Sequence, residues 1–224
     1  MTMLDAIGPY EVLRNIKDAE IKFVSKTKSE ITADSGFLHL NAKYSIDEIH
    51  QADILLIPGS TVAFIKQMKD KSVLEWIKKI DATTCKTVTV CTGSIILSAT
   101  GLLKDRKASS HWKAINMMKE YGAIPTRERI VEDGKYISAA GVSAGIDMAL
   151  YLVSQLVNEK QAKAAQLTIE YDPKPPFDSG NYLTAEKDII ALSEKIMQSG
   201  AQKELSAWDM IKNAKSLIKL KKEK

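Results

Sequence analysis

The chain has 224 residues, 45% apolar and 27% charged, with 11 Gly and 6 Pro, which excludes disordered, collagenous and low-complexity classes and leaves a globular chain able to bury a sizeable core. Lys and Arg number 32 against 28 Asp and Glu, a net charge of +4. The excess gathers in Lys212, Lys215, Lys219, Lys221, Lys222 and Lys224, a solvated basic tail without the interleaved aromatics of a nucleic-acid platform.

The elements alternate along the chain. Glu20 to Lys26 reads as a strand, and Asp53 to Ile57 is a short apolar strand ending at the turn Pro58-Gly59. Phe64 to Ile80 carries apolar residues at helical spacing and is expected to break near Asp70. Lys86 to Val90 (KTVTV) is a buried β-branched strand, and Gly93 to Leu103 returns to helix. Arg129 to Val131 and Tyr136 to Ala139 flank Asp133-Gly134, a hairpin signal. After Gly141, Ser143 is placed to cap a long helix running to about Val157. Without repeats or a linker, residues 1–224 read as a single domain, with 185–224 a helical extension.

Short strands apolar on both faces and separated by helices predict a three-layer α/β fold with a mainly parallel sheet. Ligands of such sheets sit beyond the carboxyl ends of the strands, here the segments after Ile57, Val90 and Ala140. Cys91 stands at the second of these, where strand turns into helix. A thiol at such an elbow is exposed above a helix N-terminus, which is expected to lower its pKa and favour the nucleophilic thiolate. A small buried turn residue is the alternative. Cys85 lies before the same strand and is a bystander. The two cysteines match no metal-ligand spacing. No run approaches the ~18 apolar residues of a membrane span and no signal peptide opens the chain, so a reducing cytoplasm is the expected setting.

Five collinear segments carry a resemblance: LDAIGPYEVL (Leu4 to Leu13), IPGST (Ile57 to Thr61), VCTGSIILSATGLLKDRKASSHW (Val90 to Trp112), AAGVSAGIDMAL (Ala139 to Leu150) and QLTIEYDPKPPFDSG (Gln166 to Gly180). Over roughly residues 3 to 185 the chain resembles the isonitrile hydratase branch of the ThiJ/PfpI family, within the glutamine-amidotransferase-like superfamily. The resemblance implies a flavodoxin-like sandwich with a nucleophile elbow and a cofactor-free, homodimeric enzyme that hydrates small isonitriles to N-substituted formamides. It places the nucleophile on Cys91, the general acid/base on Asp5 of the D-x-x-G-P-x-E motif (Asp5, Gly8, Pro9, Glu11), and a tuning hydroxyl on Thr92. Gly59 matches the first glycine of the family's Pro-Gly-Gly turn, whose amides help to form an oxyanion-type hole, assigned here to the amides near Gly59 and Thr92. The second glycine is Ser60 here, which would be strained at positive φ. From the residues alone, Asp5 also reads as an N-cap before a short helix, while Glu11, His39, His50 and His111 read as structural.

The chain departs from the resemblance at its start. Relatives place an apolar strand immediately before the D-x-x-G-P motif, near the middle of the sheet, whereas Met1 stands four residues ahead of Asp5. Either the start codon is placed too late, or the sheet closes differently and Asp5 is poorly anchored. Three rivals remain open. The first is another cysteine hydrolase or lyase of the family, although Thr92 rather than histidine follows the cysteine. The second is a ligand-sensing half of a transcription regulator, although the residues after Gly180 are few for a DNA-binding pair. They carry Ile189, Ile190, Leu192, Ile196, Trp208, Ile211, Leu217 and Ile218, the stripe of a packing or dimer-contact helix. The third is a redox sensor built on a low-pKa Cys91.

Overall fold

The computed structural model describes residues 1–202; Trp208, Ile211, Leu217, Ile218 and the six terminal lysines lie outside them. In chain order the elements are α1 (Leu4–Leu13), β1 (Val24–Ser25), β2 (Ser29–Thr32), β3 (His39–Ala42), β4 (Tyr44–Ser45), β5 (Ile54–Ile57), α2 (Phe64–Gln67), α3 (Lys71–Asp81), β6 (Lys86–Val90), α4 (Gly93–Ala99), β7 (Lys107–Ala108), a 3-10 helix (Ile115–Tyr121), β8 (Ile124–Pro125), β9 (Ile130–Asp133), β10 (Tyr136–Ala139), α5 (Ala144–Leu156) and α6 (Glu159–Thr168). The chain is also helical from 187 to 202.

The main sheet has the order β5-β6-β10-β9, with β5, β6 and β10 parallel and β9 antiparallel at one edge. Alternation along the strands sends Val88, Val90, Ile137 and Ala139 toward Ala144, Met148 and Leu152 of α5. Leu55, Ile57 and Tyr136 face the other way, into a cluster with Ile77, Ile80, Ile95 and Leu97 of α3 and α4. With α1 and α6 packed on α5 through Val12, Ala149, Val153, Ala162 and Ala165, helices cover both faces of the sheet. The fold is a flavodoxin-like α/β sandwich.

The helix over 64–80 does break near Asp70. That residue takes extended backbone, and its carboxylate accepts the Ser72 N–H at 3.1 Å, capping α3 and ending the preceding turn. The hairpin β9–β10 turns at Gly134, with φ +66°. Four sequence expectations are corrected. The helix after Cys91 stops at Ala99 rather than Leu103, because Gly101 at φ +86° turns the chain out of the helical register. Ser143 occupies the N-cap position of α5 but has helical backbone and makes no cap bond with its side chain; its hydroxyl instead accepts from Arg129 at 3.4 Å. The D-x-x-G-P-x-E motif lies within α1 rather than before it. Within Glu20 to Lys26, only Val24 and Ser25 pair, with Tyr44 and Ser45.

The last correction has a cause in the sheet. Among the described residues β5 has a single neighbour, β6, so one edge of β5 is unpaired. Between that edge and the Glu20–Lys26 segment lies a cleft of about 1120 Å³, walled by residues that include Tyr10, Leu13, Phe23, Val24, Ile54 and Leu56. Residues 20–23 run along the cleft without a strand to bond to. No helix among the described residues is long and apolar enough to cross a membrane. Ile189, Leu192 and Ile196 are exposed, so their stripe is not buried within the described residues.

Candidate active site

Cys91 follows β6 directly and has φ +59°, a left-handed conformation that costs a non-glycine residue on the order of 1–3 kcal/mol. The surrounding bonds over-determine it. Its N–H donates to the Ala139 carbonyl at 3.1 Å, and its own carbonyl accepts from the hydroxyls of Ser94 at 3.0 Å and Ser110 at 2.9 Å. Gly93 follows at a point where a Cβ would stand 2.1 Å from the Ile57 carbonyl oxygen, so only glycine lets α4 start this close to β5. Ser94 and Ser110 were missed as supports by sequence reasoning, although they lie in the TGS and SSHW stretches already singled out.

Asp5 lies in the first turn of α1, fully buried, with Met3 at the N-cap. Its carboxylate does not cap that helix. Oδ2 accepts the Gly59 N–H at 2.9 Å, from 54 residues away, and Oδ1 is buried without a partner. The N-cap reading is therefore replaced by a long-range anchor. At Gly59 a Cβ would lie 2.6 Å from both N and Oγ1 of Thr92 and 3.0 Å from Asp5 Oδ2, so glycine is required for the contact itself rather than for its φ.

Thr92 ties the turn after β5 to the elbow. Its hydroxyl accepts the Ser60 N–H and donates to the Ser60 carbonyl, both at 2.9 Å. Ser60 is absent from the positive-φ residues, so the anticipated strain is not present, and its own hydroxyl accepts from Phe64 N–H at 2.6 Å at the start of α2. Of the amides assigned to the hole, those of Gly59 and Ser60 are already engaged, one by Asp5 and the other by Thr92. Neither is free to meet a developing anion.

The electrostatics oppose the thiolate expected at the elbow. Cys91 is 4% exposed, and its pKa is pushed up by burial and then by the neighbouring Asp5 charge, against weaker help from the Thr92 N–H. The helix terminus does not outweigh desolvation. Asp5 is pushed up to about 7, first by burial, with the Gly59 N–H opposing and the Asp34 charge adding to the rise. The pair thus rests as a neutral thiol beside a carboxyl group that titrates near neutrality. A buried thiol with a raised pKa lacks the thiolate character on which a redox sensor relies.

The remaining candidates fall outside the pair. Cys85 is exposed at the start of β6. Glu11 turns outward to Arg14 at 2.6 Å, and His39 pairs with Glu30 at 2.9 Å on the exposed hairpin β2–β3. His111 is half-buried, with its pKa lowered by desolvation, and its Nδ1 accepts the Lys113 N–H at 3.3 Å.

The pattern of the DJ-1/PfpI family matches residues 1–155. The chain belongs to the DJ-1/PfpI family. It is 35% identical to an isonitrile hydratase of Pseudomonas putida over 192 residues, 86% of this chain and 83% of that one. It is 29% identical to an HTH-type transcriptional regulator of Pseudomonas aeruginosa over 129 residues, 56% of this chain but only 37% of the regulator. The crystal structure of a THiJ/PfpI family protein from Pseudomonas syringae superposes with a TM-score of 0.85 at 34% identity, covering 91% of this chain and 84% of that one.

Proposed function

We propose that this DJ-1/PfpI protein is a cysteine-dependent hydratase that converts isonitriles to N-substituted formamides. The observation that supports it most directly is the Asp5 carboxyl, buried beside Cys91 and titrating at about 7, which can hold or release a proton at working pH. The likeness to the Pseudomonas putida isonitrile hydratase supplies the substrate class.

The chemistry follows from a neutral resting thiol. Ionised Asp5 takes the Cys91 proton as sulfur attacks the terminal isonitrile carbon, forming the S–C bond, and returns that proton to the same carbon. The product is a thioimidate, with the nitrogen lone pair restored. Asp5, again ionised, takes a proton from water as the water oxygen adds to the C=N carbon and delivers that proton to the nitrogen, leaving a tetrahedral carbon that bears the hydroxyl, the sulfur and R–NH. Collapse breaks the C–S bond, releases R–NH–CHO and returns hydrogen to sulfur. One water is consumed and every proton is accounted for. A slender, linear isonitrile terminus suits a cysteine as buried as Cys91. Thr92 acts by fixing the Gly59–Ser60 turn that holds Asp5. The reading requires no cofactor or metal and takes the protein as a cytoplasmic homodimer acting on a small molecule, the exposed Ile189, Leu192 and Ile196 stripe being an apolar face suited to a second copy.

The test is formamide production from cyclohexyl isonitrile by the purified chain, with Cys91→Ala and Asp5→Asn alongside. Turnover in the parent and loss of at least a thousandfold in both variants is expected. An active Cys91→Ala protein would refute the mechanism, and an inactive parent the substrate assignment.

A further inference from the structure

Asp34 lies just beyond β2, in the turn that leads to β3, and belongs to none of the motifs read from the sequence. Its side chain is 15% exposed, and one carboxylate oxygen collects three donors. Oδ2 accepts from the Thr2 hydroxyl at 2.6 Å, the Thr61 N–H at 2.9 Å and the Thr61 hydroxyl at 3.1 Å. Oδ1 meets the Met1 amine at 2.8 Å. Backbone bonds run beside these: the Asp34 N–H donates to the Met1 carbonyl, and the Thr2 N–H to the Gly59 carbonyl, each at 3.0 Å.

Three segments distant in sequence therefore meet on a single carboxylate. One leads directly into α1 and carries Asp5 three residues after Thr2. Another is the turn that ends at Thr61 and contains Gly59, whose N–H is the hydrogen-bond donor to Asp5. The third is the hairpin turn itself. We propose that Asp34 is a positioning residue for Asp5, fixing through Thr2 and Thr61 the two segments that present the Asp5 carboxyl to Cys91. The proposal rests on the hydratase reading only where turnover is the readout.

A neutral hydrogen-bonding residue would fulfil a purely mechanical role, so the charge must be considered separately. The titratable groups that act on Asp5 are Cys91 from the elbow, Asp34 from the hairpin turn and the Met1 amine. Burial pushes Asp34 up, but the Met1 amine and the Thr2 hydroxyl outweigh it and hold Asp34 below the ordinary carboxylate range. Asp34 is thus a fixed anion across the range in which Asp5 titrates, and a like charge disfavours ionisation of Asp5. The same carboxylate sets where the Asp5 oxygen sits and how long it keeps its proton.

The experiment compares Asp34→Asn, Asp34→Ala and Thr61→Val in the full chain, following the Asp5 carboxyl by carbon-13 NMR of aspartate-labelled protein, with the resonance assigned from Asp5→Asn. Asp34→Asn retains an acceptor without the charge and is expected to lower the Asp5 midpoint by on the order of half a pH unit, less than the 1–3 units of a charge in direct contact. Its kcat should stay within about threefold of the parent, with the pH profile displaced by the same amount. Asp34→Ala also loses the anchor and is expected to lower kcat about tenfold or more, equivalent to about 1.4 kcal/mol of barrier, with KM little changed. Thr61→Val, which removes one hydroxyl bond, should give a smaller loss in kcat and guards against an Asp34→Ala chain that does not fold. An unchanged Asp5 midpoint in Asp34→Asn, with only a lowered melting temperature, would overturn the proposal. The NMR titration decides the question even if the parent hydrates no isonitrile.

Discussion

Replacing Asp5 by asparagine is expected to abolish turnover and, in the same stroke, to relieve the fold of an electrostatic cost at neutral pH. The native carboxyl titrates at about 7 against an ordinary 3.8, so between those values the folded chain holds a proton that the unfolded chain has released. With more protons bound in the native state, stability falls as pH rises. The carboxyl costs nothing below about pH 3.8, and its full penalty is reached above about 7. At about 1.4 kcal/mol per pH unit the penalty is about 4 kcal/mol, or roughly 8–16 °C in melting temperature for a chain of this size. Asparagine can still accept the Gly59 N–H but does not ionise. The stability difference between Asp5→Asn and the parent should therefore grow by about 4 kcal/mol from about pH 4 to about pH 8, whatever its offset at low pH. Urea unfolding at matched pH values measures it, because other titrating groups cancel between the two proteins. A difference independent of pH would refute the assignment of the raised pKa to Asp5.

Thr92→Val keeps the shape but strands the Ser60 N–H and carbonyl, and at about 1–3 kcal/mol for each buried unpaired group urea denaturation should show a loss of about 2–5 kcal/mol; a loss below about 1 kcal/mol would mean that the turn finds other partners. Gly93→Ala forces a Cβ to within 2.1 Å of the Ile57 carbonyl oxygen and is expected to cost more than about 4 kcal/mol, read as soluble yield and circular dichroism; a well-folded variant would contradict the close approach of α4 to β5. Amide hydrogen exchange should be faster in Ile54–Ile57 than in Lys86–Val90, because among the described residues β5 is paired on one side and β6 on both. Equal protection would show that the open edge of β5 is covered in solution.

Local pattern determined much of this protein. The β-branched run Lys86 to Val90, the Asp133-Gly134 turn and the break at Asp70 each depend on neighbours within a few residues, and the sequence placed them to within a residue or two. The five collinear segments also brought Asp5, Cys91 and Thr92 to notice, because their spacing survives in one dimension. What sequence could not show was how those groups act on one another. The unexposed thiol, the Asp5 pKa near 7 and the engagement of both turn amides arise from burial and from bonds spanning 32 and 54 residues. Asp34 is the clearest case: a lone aspartate in a hairpin turn carries no motif, and its four donors come from the two segments that hold Asp5. Desolvation and long-range hydrogen bonding exist only once the chain has folded, and here they oppose the thiolate expected of Cys91.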